Sequence, residues 1–415
     1  MSLRPVALRA ASSAWRRHIP VAVPHVARMS SSSSPAWCAL HGKGGRLRVR
    51  KMYSRRLCAS TLPTATEAST LPYVDTHCHL DLIFEKMNAR SVGGKTADKS
   101  GMPAPGSVHH ASWLHAVRTR EKNFVLQNGV HHTRNGIYES TGASVNTVSP
   151  KLEACVTVAC SAKAHGRIRK MLIDVDPTFT VPEGVFAAFG CHPLSAKDWE
   201  HENLHSATRD LLINHPDKVV AIGECGLDYY VPLSGRVING SGERETAGDA
   251  ISSELSNQEK DKHELQHKTF VAQMKMSNEF NKPIVIHTRE AESDTLRLMK
   301  ENLRQDAAIH VHCFTSQKWF AEELLKHFPN LCLGFTGVVT FKNAEAVVEV
   351  VKITPLHRIL LETDGPYMAP TPKRGEIAHP GHVPYVALKI AEIKGVAVGD
   401  VLVAARDATR RIYGI

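Results

Sequence analysis

The residues able to do metal chemistry stand at the ends of successive apolar runs. His77 and His79 follow the run that begins at Tyr73. Side chains alternate along a strand, so two histidines spaced by two leave on the same side and can each give one ion a nitrogen. Glu224 closes the run Val219–Glu224, His287 closes Pro283–His287, His312 closes Ala308–His312 and Asp364 closes Ile359–Asp364. An apolar strand has no structural need for an ionisable terminus, and an isolated buried His or Glu is costly to desolvate. Histidine and carboxylate without cysteine suit Zn, Mn or Co, with Mg admitted where oxygen ligands dominate. A glutamate between two groups of ligands can bridge two ions about 3.5–4 Å apart. Asp364 can hold a metal-bound water or take its proton.

Further groups suit an anionic substrate. Arg289, two residues beyond His287, can clamp a phosphate bidentately or pair with Glu290 or Asp294. His192 follows Gly190-Cys191; it can hydrogen-bond a phosphate, protonate a leaving oxygen, or serve structure alone. Tyr229 and Tyr230 can stack on a base or act as core and rim aromatics. His263 and His267 are spaced i, i+4 and read as a solvated helix face; His109-His110 and His131-His132 read as loop residues.

The elements that must position these groups form a regular pattern. Eight apolar runs occur at Tyr73–His77, Ala154–Cys160, Val185–Gly190, Val219–Glu224, Pro283–His287, Ala308–His312, Leu331–Thr336 and Ile359–Asp364. Parallel strands covered on both faces read this way. Helical patterns fall between them, for example at Leu204–Asn214, His263–Phe280, Glu292–Leu303 and Pro384–Lys394. Strands and helices in alternation predict an α/β fold, a (β/α)8 TIM barrel, with a doubly wound open sheet as the competing arrangement. In a barrel the ionisable residues collect at the C-terminal strand ends, the catalytic face. Polar stretches at about 88–150, with a weak helical pattern near Ser112–Val125, and at about 231–260 break the repeat as insertions. Each would emerge at that face as a lid or substrate loop, or as an expansion without a role.

Charge divides the chain in two. The net charge is +10, but residues 1–66 hold ten Arg, two Lys and no acid, which leaves −2 for the rest. The basic balance therefore belongs to the leader and says nothing about nucleic-acid binding by the barrel. An Arg-, Ser- and Ala-rich, acid-free segment over residues 1–70 reads as a mitochondrial presequence or a disordered tail, with the barrel domain spanning 71–415. Nine scattered cysteines without a C-x-x-C pair predict reduced, mostly buried thiols, fitting a reducing matrix or cytosol. No apolar run approaches the roughly 18 residues of a membrane span, so no membrane partner is expected.

Six stretches resemble, in order, the motifs of the TatD family: Tyr73–Asp81 (YVDTHCHLD), Phe189–Pro193 (FGCHP), Ile222–Tyr229 (IGECGLDY), Lys282–Ala291 (KPIVIHTREA), Val311–Thr315 (VHCFT) and Leu361–Tyr367 (LETDGPY). The likeness runs from about Tyr73 to Ile415. Ala378–Gly381 (AHPG) most resembles a eukaryotic subgroup of long N-terminal extensions, the TatD-domain-containing protein two type. The resemblance implies a metallo-dependent hydrolase barrel using one or two divalent ions, Mg, Mn or Zn. It implies His77, His79, Glu224 and Asp364 on the first ion and Glu224, His287 and His312 on the second, with Glu224 bridging. It also implies exo- or endonucleolytic cleavage of DNA, extending to RNA, by attack of a metal-activated hydroxide on phosphorus. Ser316 and Ala408 depart from the family pattern at positions that are not ligands. A second reading is an amidohydrolase-type barrel acting on a small ester, lactone or amide. Many of those bridge their metals through a modified Lys on strand four, where Glu224 stands here. A third is a non-catalytic scaffold, against which all six ligand positions argue.

Overall fold

The computed structural model describes residues 69–92, 126–127, 130–133, 136–139, 147–175, 183–230 and 257–415. The leader, the Ser112–Val125 stretch, His109-His110 and most of both insertions lie outside the described residues. Within the first insertion, His131 and His132 fall on a two-stranded antiparallel ribbon, Val130–Thr133 with Gly136–Glu139, where a loop was expected.

Eight strands form one parallel series in sequence order: β1 Ser69–Cys78, β2 Thr147–Ala159, β3 Val185–Phe189, β4 Val219–Asp228, β5 Ile284–Arg289, β6 Ile309–Val311, β7 Leu331–Phe335 and β8 Ile359–Leu361. The ends of the series meet. Cys78 bridges Gly365 in parallel, the Asp364 N–H donates to the His77 carbonyl at 2.9 Å, and the His79 N–H donates to that of Gly365 at 2.8 Å. A nearly closed barrel results, and the open-sheet alternative falls.

Among the described residues ten helices accompany the strands: α1 Leu80–Val92, α2 Ala162–Leu172, α3 Asp198–His201, α4 Leu204–Asn214, α5 Asn257–Phe280, α6 Glu292–Asn302, α7 Lys318–His327, α8 Glu345–Ile353, α9 Val383–Lys394 and α10 Val398–Tyr413. α5 begins six residues before the predicted His263. Its first turns, Asn257–Lys262, carry good helix formers but no apolar stripe, so periodicity is silent there.

Two apolar layers explain the composition of the runs. A large layer lies between strands and helices, built on residues such as Phe189, Phe270, Phe320 and Phe335. A smaller one takes the alternate strand residues, including Val156, Val158, Val285 and Leu360, and is completed by Ala408, Ile412 and Tyr413 of α10. All ten residues of β4 are buried, as both-face coverage demands. The seven described cysteines are free thiols, five of them buried. Among the described residues no helix is long and apolar enough to cross a membrane.

Candidate metal centre

The barrel brings six side chains to one place, His77, Glu224 and His287 from β1, β4 and β5 and His79, His312 and Asp364 from just past β1, β6 and β8. Glu224 is the hub, and its two oxygens face different groups. Oε2 lies 3.5 Å from His77 Nε2 and 3.9 Å from His79 Nε2. Oε1 lies 2.7 Å from His312 Nε2, 2.9 Å from His287 Nδ1 and 3.5 Å from His192 Nε2. Asp364 Oδ1 closes the first group at 3.4 Å from His79 and 3.7 Å from His77. His77 near the end of β1 and His79 just past it both face the same two carboxylates.

Among the described residues three sets have ligand atoms mutually within 4.8 Å: His77, His79 and Asp364; His77, Glu224 and His312; and His192, Glu224 and His287. The donor set fits a divalent ion on two counts. Tetrahedral bonds of about 2.1 Å imply ligand–ligand edges of about 3.4 Å, close to the spacing around His77 and His79. Both ring nitrogens of His77 are buried without a hydrogen-bond partner. A neutral buried imidazole aimed between two carboxylates is otherwise hard to explain. Around Oε1 the distances are those of hydrogen bonds, and protons there offset the carboxylate's charge.

The electrostatics agree. Burial pushes the Glu224 carboxyl up, but His312, His192 and His287 outweigh it and hold it well below the usual range. Burial, with His312 beside it, lowers His77 to about 3. For His79 burial also lowers, but Asp364 and Glu224 prevail and raise it to about 9. His287 is raised to about 9, burial being overcome by Asp228 and Glu224. Asp364 is lowered: burial would raise it, and His79 and His77 reverse that.

Helix α5 positions part of this face through amides. Gln266 exchanges two hydrogen bonds with the backbone of Asp228, at 2.9 and 3.0 Å. Gln273 does the same for Cys191, at 2.8 and 3.1 Å, beside His192. His192 Nδ1 accepts from the Leu194 N–H at 3.1 Å, which leaves its proton on Nε2.

At the rim both tyrosines are packed against neighbours, as core and rim aromatics are. Arg289 is exposed, and its guanidinium carbon lies 3.5 Å from the centre of the Tyr230 ring. Among the described residues it forms no ion pair with Glu290 or Asp294; Asp294 pairs with Arg297 instead. Tyr229 is occupied too. His263 stacks on it at 3.8 Å, and its hydroxyl donates to Asp294 at 2.9 Å. His263 and His267 are thus packed against this tyrosine and are not a purely solvated face. Ser316 donates to Glu292 at 2.9 Å, and Ala408 is buried.

Several side chains at the site were missed. Asp228 Oδ2 sits 3.3 Å from His287 Nε2, and Glu224 lies midway along β4 because that strand continues to Asp228. The period-two relation of 224 to 228 was the available signal. Asp75 is buried and raised to about 8 by that burial; it accepts from the Thr363 hydroxyl at 2.6 Å. Cys160 points its thiol at Glu224 Oε2, 3.8 Å away.

The family described as TatD related DNase matches residues 74–414. The chain belongs to that family. It is similar to the human protein named 3'-5' RNA nuclease TATDN2, 37% identical over 236 residues, 56% of this chain and 27% of that protein. It is also similar to the Escherichia coli K12 protein named uncharacterized metal-dependent hydrolase YcfH, 31% identical over 284 residues, 67% of this chain and 91% of that one. Among solved structures, the TatD homologue YJJV of E. coli K12 shares the fold at TM-score 0.53 and 17% identity, covering 83% of this chain and 98% of that one. The protein is a TatD-family metal-dependent hydrolase on a TIM barrel.

Proposed function

We propose that this TatD-family hydrolase is a nuclease that cleaves phosphodiester bonds of nucleic acid. DNA is taken as the first substrate and RNA as the second. The observation that carries the reading is Glu224, one buried carboxylate whose Oε2 faces His77 and His79 and whose Oε1 faces His312 and His287. Divalent metal would be held by His77, His79 and Asp364 on one side and by His287 and His312 on the other, with Glu224 in reach of both. Divalent ions held there supply an electrophile at a phosphoryl oxygen and lower the pKa of water.

The remaining roles fall to the chain's own groups. Asp364 is ionised at neutral pH and accepts the proton of the attacking water. His192, carrying its proton on Nε2, donates a hydrogen bond to a phosphoryl or leaving oxygen. Arg289, spread over Tyr230 and exposed, holds a neighbouring phosphate and gives a base a flat surface to stack on. The family description names a deoxyribonuclease and the human relative's name an RNA nuclease, which is why both polymers are in the test.

End-labelled single-stranded and duplex DNA and RNA are incubated with the full chain. The protein is first metal-stripped, then supplied with Mg, Mn or Zn, beside Glu224→Ala and Asp364→Asn. Metal-dependent cleavage that both variants lose is the expected result, and the product ladder separates exo- from endonucleolytic attack. Metal uptake without cleavage of any of the polymers would overturn the nuclease reading and direct assays to small esters and lactones.

A further inference from the structure

Below the ligands lies a second ionisable set that the chemistry above leaves unused. His310 stands two residues before His312 and Glu362 two before Asp364, so period two points each pair to one side with its second member deeper in the barrel. Both are fully buried, at 0% exposure. His310 Nε2 lies 2.9 Å from Glu362 Oε2, a close polar contact without the alignment of a hydrogen bond, and His310 Nδ1 is hydrogen-bonded to the hydroxyl of Tyr413 in α10 at 2.6 Å. The other carboxylate oxygen, Oε1, accepts from the backbone N–H of Cys313.

Two further observations mark this chain as more than filling. Gly334 on β7 makes room for it: a Cβ there would stand 2.3 Å from His310 Nε2 and 2.7 Å from the Glu362 carboxylate. Cys313, whose N–H Glu362 grips, has φ 43°, the left-handed region that a non-glycine residue keeps only when its surroundings hold it. Cys313 directly follows His312, so the turn adjoins the backbone that carries the His312 ring. An apolar barrel floor of Leu or Val would pack as well and leave no polar group to satisfy. It would also leave the Cys313 N–H without its acceptor, and the turn with only the flanking bonds of His312 to Ile286 and Phe314 to Gly334.

We infer that the Tyr413–His310–Glu362 chain is the positioning device of the His312 side of the metal centre, holding the left-handed turn at Cys313 and with it His312 Nε2 opposite Glu224. The inference rests on the metal-centre reading. It ties the last helix of the chain to a site at the opposite end of the barrel, so a change at Tyr413 is felt by the metal.

The test uses the full chain, metal-stripped, with Zn and Mn affinities from chelator competition and Co as a visible-absorption probe of ligand geometry. His287→Ala identifies which of the binding steps involves the His312 side. Glu362→Ala weakens that step by about 10–100-fold and alters the Co spectrum. Glu362→Gln keeps an oxygen for Cys313 and an N–H for His310, and restores both readings. Tyr413→Phe, which removes a single hydroxyl and serves if Glu362→Ala does not fold, weakens the same step by a smaller factor. A melting temperature that falls while affinity and Co spectrum stay wild-type would overturn the inference, as would a Gln variant no better than Ala. Wild-type protein that takes up no metal at all would instead end the metal-centre reading, and the inference with it.

Discussion

Replacing Glu224 with Gln removes one charge while keeping volume and one acceptor oxygen. Five imidazoles lie within 3.9 Å of that carboxylate: His312 at 2.7 Å, His287 at 2.9 Å, His77 and His192 at 3.5 Å and His79 at 3.9 Å. Breaking a buried charge interaction by removing one partner costs about 3–5 kcal/mol. The metal-free protein escapes most of that cost, because His287 and His312 can release their protons when the carboxylate goes. A divalent ion has no such escape. The loss therefore falls on metal binding, about 10²–10⁴ in affinity at about 1.4 kcal/mol per factor of ten. Calorimetric titration of metal-stripped wild type and Glu224→Gln with Mn and Zn reads this directly, with melting curves of both metal-free proteins alongside. The expected outcome is similar melting temperatures, metal affinity reduced by that factor and turnover lost. A variant that binds metal as tightly as wild type would refute the assignment of Glu224 as the hub. One whose metal-free form unfolds would refute the reasoning about proton release.

Other outcomes follow from the same geometry. His79 and His287 are both raised to about 9 in the metal-free protein, so metal must displace their protons. Affinity should rise with pH from neutral to about 9 and then level off; titrations in buffers of different ionisation enthalpy should find proton release at neutral pH, and none would refute it. By linkage, those raised values stabilise the metal-free fold fully below the unfolded histidine pKa of about 6.5, and that contribution fades as pH climbs through about 9. Arg289→Ala, at an exposed position, should change stability by no more than about 0.5 kcal/mol and raise KM for an oligonucleotide about tenfold with kcat little changed. Steady-state kinetics would sink the phosphate role if KM stayed put. Residues 1–66, proposed as a mitochondrial presequence, should carry a fluorescent reporter into mitochondria; a diffuse cytosolic signal would end that proposal.

Legible in the sequence were the chemistry of the ligands and their side of each strand. Residue type decides what can bind a metal. Period two predicts that His77 and His79 leave together, and the eight apolar runs predict parallel strands that gather their ends, while closure into a barrel rests on contacts between the first and last strands. Residue type and period are local properties, carried by neighbours in sequence. Depth and partnership are not local. Glu224 becomes a hub only because β4 runs on to Asp228 and closure of the barrel sets its oxygens between histidines from β1, β5 and the turn after β6. The partners of the deeper layer are separated by 49 residues for Glu362 and Cys313, 103 for His310 and Tyr413 and 288 for Asp75 and Thr363. No window of sequence contains such a pair. Burial had to be decided for the whole barrel first, because a carboxylate is costly without a partner and each partner lies on an element folded elsewhere in the chain.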